Sequence, residues 1–193
     1  MNNILFVCTG NTCRSPMAEA LLRKLAGERK VSLQVRSAGV AAAHGGSISR
    51  HAEAVLRDHD IQEQLTSKPI NQELVEWADL ILTLTQSHKQ HVLRQFPQTA
   101  GRIYTLKEYA EDDAQVLADI EELDSLRAGQ ALQQALGRDL DSEERERMVL
   151  IRQRIPSFDI SDPFGGFRED YDRTAGEIRT ALERLLDKLE EQQ

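Results

Sequence analysis

Cysteine and long apolar runs are both scarce in this sequence. Only 2 of its 193 residues are cysteine, too few to staple a small secreted domain, and a chain of this length can bury a core without such staples. The apolar run Ile4–Val7 is far shorter than a membrane span or a secretion signal, and the opening Met1-Asn2-Asn3 carries no basic residue. We therefore expect a soluble, cytoplasmic protein with reduced thiols and no membrane partner.

Positive charge is also in short supply. Lysine and arginine number 24 against 32 aspartate and glutamate residues, which gives a net charge of −8. Such a balance argues against non-specific nucleic-acid binding, so no nucleic-acid partner is expected. Most of the acidic excess lies in residues 110–160, which hold thirteen acidic residues, six arginines and no lysine.

Short apolar segments alternate with helical patterns along most of the chain. Strands are predicted at Ile4–Val7, around residues 31–35, at 80–84 and at 102–106. Hydrophobic residues make up 40% of the chain, enough for a sizeable core. Strands that alternate with helices need crossover connections, so we expect an α/β fold with a parallel sheet and helices on both faces. The other helical patterns cover about residues 48–58, 71–77, 87–96 and 170–190.

The first helix has recognisable start and stop signals. Ser15 is predicted as its N-cap and Pro16 as its first helical residue, and the helix is expected to end near Gly27. The segment SAGV, residues 37–40, is predicted to form a turn after the second strand.

Residues 110–156 interrupt the alternation. Two helices are predicted there, the first ending near Gly129 and the second running from about Ser142 to Ile155. The second has Asp141 as its cap, with Glu144 at capping-box spacing. We expect an acidic, solvated helical hairpin packed on the core and inserted into one domain that spans residues 1–193. The first helix places its apolar residues on one face: Val116, Leu117, Ile120, Leu123 and Leu126.

The loop CTGNTCRS, residues 8–15, lies between the first strand and the first helix. In an open parallel sheet, ligands bind beyond the carboxyl ends of the strands, and a helix N-terminus favours an anion. Arg14 adds a forked donor that matches two phosphate oxygens. Gly10 lets the chain bend, and Asn11 tolerates a left-handed backbone and can bond within the loop. The loop therefore predicts a cradle for phosphate or a similar oxyanion.

Cys8 is the first residue after the predicted strand, at the bottom of this cradle. The donors that bind a phosphate also stabilise a thiolate, and the Ser15 hydroxyl can donate to the sulfur. Backbone groups from Thr9 to Arg14 can surround three phosphoryl oxygens, which leaves Cys8 placed for in-line attack and a phosphocysteine intermediate.

Other chemistries fit the two cysteines less well. A zinc site needs four ligands, and the sequence has no further cluster of cysteine and histidine. A thioredoxin-like pair has two residues between its cysteines, whereas four separate Cys8 from Cys13 here, and no Gly-Lys-Ser/Thr phosphate loop is present. We therefore expect neither a metal nor an organic cofactor. The five histidines are predicted to lie at the surface: His44, His51, His59, His88 and His91.

Four ordered blocks carry a family resemblance. FVCTGNTCRSPMAEALL (residues 6–22), SAGV, ADLILTLTQSHKQ (residues 78–90) and SDPFGG (residues 161–166) closely resemble the low-molecular-weight protein phosphatases, a protein-tyrosine-phosphatase-like family. The resemblance covers about residues 1–109 and 157–190, with some forty additional residues between. With it we expect a three-layer, flavodoxin-like doubly wound fold whose four-stranded sheet has the order 2-1-3-4. It also implies a general acid at Asp162, stiffened by Pro163.

Two residues resemble the protein-arginine phosphatase branch of that family. Tyrosine-directed members usually have an aliphatic residue where this chain has Thr12, and Asp-Pro-Tyr where it has Asp-Pro-Phe. The resemblance therefore implies phosphoarginine on proteins as the substrate, with Phe164 able to stack on the guanidinium. A tyrosine phosphatase and a non-catalytic phosphate-binding adaptor remain alternatives. Arsenate reductases of this fold need more cysteines than the chain has.

Cys13 lies in the same loop as the predicted nucleophile. A cysteine activated as a thiolate is prone to oxidation, and a Cys8–Cys13 disulfide could protect it from irreversible damage. Such a bond requires the two Cα atoms to lie within about 7 Å of each other. We therefore add, as a separate hypothesis, that oxidation of these two cysteines regulates the activity.

Overall fold

The structure, a computed structural model, describes residues 2–138 and 141–191. The chain divides into two compact units. The first runs to Ala110 and resumes at Phe158, and the second is Glu111–Ser157. No helix within the described residues is both long enough and apolar enough to cross a membrane.

Four parallel strands form the sheet of the first unit, in the order β2-β1-β3-β4. Their bounds are Asn3–Cys8 for β1, Gln34–Gly39 for β2, Leu80–Thr83 for β3 and Ile103–Thr105 for β4. β1 is central, and its residues Ile4–Val7 are fully buried because both faces of the sheet are covered. The predicted sheet and its strand order are confirmed.

Helices cover both faces of this sheet. Ile4 and Phe6 of β1 face one apolar cluster, and Leu5 and Val7 face the other, as the alternation of side chains in a strand requires. The first cluster includes residues of α1 (Arg14–Arg29), α2 (Arg50–Asp58) and α8 (Arg168–Glu191), and the second includes residues of α3 (Gln72–Trp77) and α4 (Gln86–Gln95). A short 3-10 helix, Pro97–Thr99, precedes β4, and α5, Leu106–Tyr109, follows it. The predicted three-layer α/β/α arrangement is confirmed.

The predicted start and end of the first helix are wrong. α1 begins at Arg14 with Cys13 at the N-cap position, so Ser15 lies inside the helix. Its hydroxyl cannot cap the helix because it contacts Cys8 Sγ instead. The helix also continues past Gly27 and ends where Lys30 adopts a left-handed conformation.

The predicted turn at SAGV is also wrong. Ser37, Ala38 and Gly39 are the last three residues of β2 and pair with the end of β1. The small and polar residues that suggested a turn are buried in the sheet, where Ser37 has a hydrogen-bond partner and Gly39 allows close packing.

The second unit consists of α6, Ala114–Ala135, and α7, Ser142–Arg154. Arg147 on α7 pairs with Glu122 on α6, and Arg154 pairs with Asp119, so later residues of α7 meet earlier residues of α6, as in a hairpin. α6 does not end near Gly129, because a glycine within a helix lowers its stability without necessarily ending it.

Two further details of the hairpin differ from the prediction. Asp141 occupies the N-cap position of α7, but its side chain makes no capping hydrogen bond, so the predicted capping box with Glu144 is absent. Leu117, placed by its spacing on the apolar face of α6, is 41% exposed.

Candidate active site

The loop after β1 forms one wall of a pocket at the carboxyl edge of the sheet. Cys8 is the last residue of β1, and α1 begins at Arg14, so the loop backbone runs from the strand end directly to a helix N-terminus. Eight of the ten predicted site residues line the pocket: Cys8, Thr9, Gly10, Thr12, Cys13, Arg14, Asp162 and Phe164. The other two, Asn11 and Ser15, belong to the same CTGNTCRS segment but are fully buried. The prediction therefore named residues that the fold brings together.

Ser15 hydrogen-bonds the sulfur of Cys8. The Ser15 Oγ lies 2.9 Å from Cys8 Sγ and accepts a hydrogen bond of 2.8 Å from Asn11 Nδ2. Because Asn11 supplies a donor to Ser15, the single hydroxyl hydrogen of Ser15 can be donated either to the sulfur at 2.9 Å or to the Ala38 carbonyl at 3.4 Å, and the sulfur is the nearer acceptor. Cys8 itself is only 3% exposed. This contact is the one that the sequence predicted for Ser15.

Asn11 holds the loop in shape. Its backbone φ is +53°, in the left-handed region that asparagine tolerates. Its amide group also donates to Ser37 Oγ at 2.8 Å and accepts from the Lys68 backbone N–H at 2.8 Å. Ser37 in turn donates to Glu19 Oε2, a buried carboxylate on α1. The sequence predicted the role of Asn11 but not that of Ser37 or Glu19, because their proximity depends on the sheet register.

Gly39, the last residue of β2, packs closely against the backbone of the loop. A Cβ atom at this position would lie 2.4 Å from the Thr9 carbonyl oxygen and 2.9 Å from the Asn11 backbone nitrogen. Side chains do not approach backbone atoms so closely, so only glycine fits here without displacing the loop.

Arg14 and Asp162 meet at the pocket. Arg14 Nη2 lies 3.0 Å from Asp162 Oδ2. The Arg14 side chain is 7% exposed, whereas the Asp162 side chain is 56% exposed. The acidic residue therefore faces the opening, whereas the arginine lies in the wall. Asp162 also accepts a hydrogen bond from the Phe164 backbone N–H at 3.2 Å.

The segment that carries Asp162 is fixed to three other elements. The Ile160 N–H donates to the Leu84 carbonyl just beyond β3, at 2.8 Å. The Ile160 carbonyl accepts from Arg14 at 3.4 Å, and Ser161 Oγ lies 2.8 Å from Thr174 Oγ1 on α8. These contacts hold the segment from which Asp162 reaches the pocket that Cys8 also lines.

Cys13 and Phe164 complete the pocket in different ways. Cys13 Sγ lies 3.3 Å from the Tyr171 hydroxyl and 3.6 Å from Thr12 Oγ1. Burial, and after it the hydrogen bond with Cys13, raise the pKa of Tyr171, so its hydroxyl is neutral at pH 7. The Phe164 side chain is 79% exposed at the opening, free to contact whatever enters. Both cysteines are free thiols in the structure.

His88 is a site residue that the sequence analysis missed. The prediction of a surface position for it is wrong: it is 6% exposed, and its Nε2 lies 2.8 Å from Thr9 Oγ1. Its Nδ1 lies 3.0 Å from Thr85 Oγ1. Burial, and after it the positive charge of Arg14, lower the pKa of His88 to about 4, so the ring is neutral at pH 7. The signal that could have found it is its position in the first turn after β3, on the same sheet edge as the loop.

The fold and the pocket together define a class of enzyme. A buried cysteine lies at the base of a loop of backbone donors, with an arginine in the wall and a carboxylic acid at the opening. Cysteine-dependent phosphatases need these three groups around one phosphoryl-sized space. Among the described residues, no group of three histidine, cysteine, aspartate or glutamate side chains is placed to hold a metal ion.

Comparison with known proteins identifies the family. Residues 3–142 match the family described as low molecular weight phosphotyrosine protein phosphatase, and the chain belongs to it. A protein-arginine-phosphatase of Bacillus subtilis is 47% identical over 107 residues, which are 55% of this chain and 71% of that protein. The low molecular weight protein-tyrosine-phosphatase PtpB of Staphylococcus haemolyticus is 40% identical over 106 residues, which are 55% of this chain and 72% of that protein.

Similarity in three dimensions extends over nearly the whole chain. A mutant of the YwlE arginine phosphatase with a phosphorylated active-site serine aligns with a TM-score of 0.72 and 33% identity. The alignment covers 97% of this chain and 95% of that one.

Proposed function

We propose that this protein hydrolyses phosphoarginine on proteins through a phosphocysteine intermediate. The observation that carries the proposal is the convergence of Cys8, Arg14 and Asp162 on one pocket whose opening carries Phe164. The relative from Bacillus subtilis, a protein-arginine-phosphatase, supports the substrate. The phosphorylated serine in the YwlE mutant supports a covalent step at the active site.

In the first step, the Cys8 thiolate attacks phosphorus. A sulfur–phosphorus bond forms while the phosphorus–nitrogen bond to the arginine breaks. Arg14 and the backbone N–H groups from Thr9 to Arg14 hold the three equatorial oxygens as their charge develops. Ser15 and Asn11 stabilise the thiolate and the loop.

Asp162 provides proton transfer in both steps. In its protonated form it gives a proton to the leaving guanidino nitrogen, so that arginine departs neutral at that atom. The resulting carboxylate then takes a proton from water, which attacks phosphorus and releases Cys8 and inorganic phosphate. Before substrate binds, Arg14 pairs with Asp162. A bound phosphoryl group competes for the guanidinium and releases the carboxyl for this role.

Thr12 and Phe164 are the proposed determinants of the leaving group. Both line the pocket, Thr12 within the loop and Phe164 at the opening. A planar guanidinium can stack on the Phe164 ring, and the small, polar Thr12 side chain leaves space beside the phosphorus.

The test is hydrolysis of free and peptide phosphoarginine by the wild type and by Cys8→Ser. The wild type should release phosphate, and rapid acid quenching should trap a phosphorylated Cys8 that mass spectrometry locates. Cys8→Ser should lose at least about 10³-fold in kcat, because a serine hydroxyl without a base is a poor nucleophile. Full turnover by Cys8→Ser would show that the nucleophile is assigned wrongly.

Tyrosine dephosphorylation is the second candidate. The name of the matched family and the 40% identical PtpB favour it. The same three groups would perform it, with Asp162 giving its proton to a phenolate oxygen. Phosphorylated proteins are the substrates in either case.

Redox control by Cys13 is part of the proposal. Hydrogen peroxide would oxidise Cys8 to a sulfenic acid, and the Cys13 thiol would then displace water to form the disulfide. Peroxide treatment followed by a thiol reductant tests this. The wild type should regain most of its own untreated activity and Cys13→Ser much less of its own; equal recovery would refute the role of Cys13.

We also propose that residues 110–156 are an insertion into a single phosphatase domain spanning residues 1–193. The support is that the segments before and after the second unit form one compact unit. A cytoplasmic location belongs to the same proposal, with the two free thiols as its support.

A further inference from the structure

A partly buried hydrogen-bonded chain leads from α4 to the wall of the pocket. It consists of Thr85, His88 and Thr9, joined by contacts of 3.0 Å to Nδ1 and 2.8 Å to Nε2 of the His88 ring. Thr9 lines the pocket, and within the described residues the hydrogen bond with His88 is the one that its hydroxyl makes. The chain thus ends on the hydroxyl of a residue that lines the pocket.

Counting donors leaves two possible directions for this chain, because the Thr85 hydroxyl can either donate to His88 Nδ1 or accept a second hydrogen bond from it. Thr85 Oγ1 accepts the backbone N–H of His88, as the N-cap of α4, and its own hydrogen remains to be donated. A neutral imidazole has one N–H and one acceptor nitrogen. When Thr85 donates to Nδ1, the ring hydrogen is on Nε2 and is donated to Thr9 Oγ1. The hydrogen of the Thr9 hydroxyl is then left for the pocket.

A bound anion favours this direction over the reverse. Each of the three donors then points toward the phosphoryl group, and hydrogen bonds in such a chain strengthen one another. In the reverse direction Thr9 would donate to Nε2 and present only lone pairs to a group of negatively charged oxygens. A phosphoryl group in the pocket therefore selects the tautomer with hydrogen on Nε2.

We infer that the Thr9 hydroxyl is a direct donor to a phosphoryl oxygen of the substrate, and that His88 is a positioning residue that orients it through Nε2. This inference rests on the proposed function of the loop as a phosphoryl-binding site. It adds a side-chain donor to the backbone donors and Arg14, and it gives a purpose to a neutral histidine that contacts the pocket-lining residue Thr9.

The experiment compares four variants: Thr9→Val, Thr9→Ser, His88→Ala and the double variant Thr9→Val/His88→Ala. The dissociation constant for inorganic phosphate is measured by calorimetry, and kcat/KM for phosphoarginine is measured beside it. His91→Ala is the matched control, because His91 is an exposed histidine on the same helix. Thermal unfolding confirms that each variant is folded.

Thr9→Val should bind inorganic phosphate roughly tenfold more weakly, as expected for the loss of a hydrogen bond to a charged group. Thr9→Ser should restore most of the affinity. His88→Ala should weaken phosphate binding several-fold in the protein that keeps Thr9. In the protein that already carries Thr9→Val, His88→Ala should have no further effect on phosphate binding. A merely structural histidine would have the same effect in both backgrounds, and that result would overturn the inference.

Unchanged phosphate binding by Thr9→Val would also overturn it. The proposed function fails by a different result: a wild type that binds inorganic phosphate but does not hydrolyse phosphoarginine. In that case the binding data for the Thr9 and His88 variants still decide the role of the Thr9 hydroxyl.

Discussion

We predict that Thr12 is the residue on which the choice of substrate depends most. It lies between Asn11, which holds the loop, and Cys13, and it lines the pocket beside Cys8. We predict that Thr12→Ile shifts the ratio of kcat/KM values toward phosphotyrosine, because a larger aliphatic side chain narrows the space for a guanidinium and packs against a phenyl ring. The ratio is measured with matched phosphoarginine and phosphotyrosine peptides. Thr12→Ser is the control and should keep the original preference; an unaltered ratio in Thr12→Ile would remove Thr12 as the selector.

The lowered pKa of His88 predicts how the stability of the folded protein changes with pH. Its pKa is lowered to about 4 by burial, then by the charge of Arg14, against opposing contributions from Asp162 and Asp159. In the unfolded chain the ring takes up a proton near pH 6.5, which the folded state does not bind until pH is near 4. The folded state therefore loses stability as pH falls through this range, by about 2 kcal/mol between pH 7 and pH 5.

Urea unfolding of the wild type and His88→Asn at both pH values tests this. The free energy of unfolding of His88→Asn should fall less between pH 7 and pH 5, since its amide does not titrate. Equal losses in the two proteins would contradict a neutral, buried His88.

At the scale of elements, the parts of the fold that the sequence predicted are those with strong local signals. β1 and β3 are short runs of apolar residues, and both strands lie within one residue of the positions that the sequence predicted. β2 was placed too early because its last residues, SAG, are polar or small. Their burial depends on the neighbouring strand and on the loop above Gly39, and no local pattern encodes either.

The candidate site was likewise predictable where its residues are close in sequence, and not where their proximity depends on the fold. Cys8, Arg14 and the loop between them are contiguous, so spacing alone implied their chemistry. Asp162 is far away in the chain and was reached only through the family resemblance. His88 and Ser37 were missed, because their contacts with Thr9 and Asn11 exist only after β2 and β3 have paired with β1.

The close packing of Gly39, at the end of β2, against the loop predicts that a larger residue there lowers activity. Gly39→Ala should lower kcat/KM by at least tenfold, because its Cβ would press on the Thr9 carbonyl and displace the loop that holds the phosphoryl oxygens. Gly27→Ala on α1 is the matched control: nothing lies within 4 Å of its Cβ, and the change should raise stability slightly. A fully active Gly39→Ala would show that the loop does not depend on this close approach.

At the scale of the whole molecule, the acidic excess is concentrated in one of the two units. The first unit contains the pocket, and the second, Glu111–Ser157, contains most of the acidic excess; none of the described residues of the second unit lines the pocket. Arg154 and Arg147 pair with Asp119 and Glu122, and hydrogen bonds from these arginines lower the pKa of both carboxyls. These ion pairs therefore connect the two helices of the hairpin within their own unit.

Asp119→Ala should make the hairpin of α6 and α7 easier to cleave by a protease without changing the rate of phosphoarginine hydrolysis. Arg154 would lose its carboxylate partner, so limited proteolysis should cut residues 111–157 faster than in the wild type. Turnover of free phosphoarginine should remain within about twofold of the wild type. Asp124→Ala is the control, because its pair with Arg127 lies within one exposed turn of α6 and is weak. A large loss of turnover in Asp119→Ala would show that the second unit takes part in the reaction.

The most direct test of the central claim compares kcat/KM of the wild-type protein on phosphoarginine and phosphotyrosine in peptides of otherwise identical sequence, with phosphocysteine trapped from each. The account predicts at least about tenfold higher kcat/KM for phosphoarginine, a difference of about 1.4 kcal/mol in transition-state stabilisation, and a trapped intermediate on Cys8 from both substrates. An equal or higher value for phosphotyrosine would contradict it.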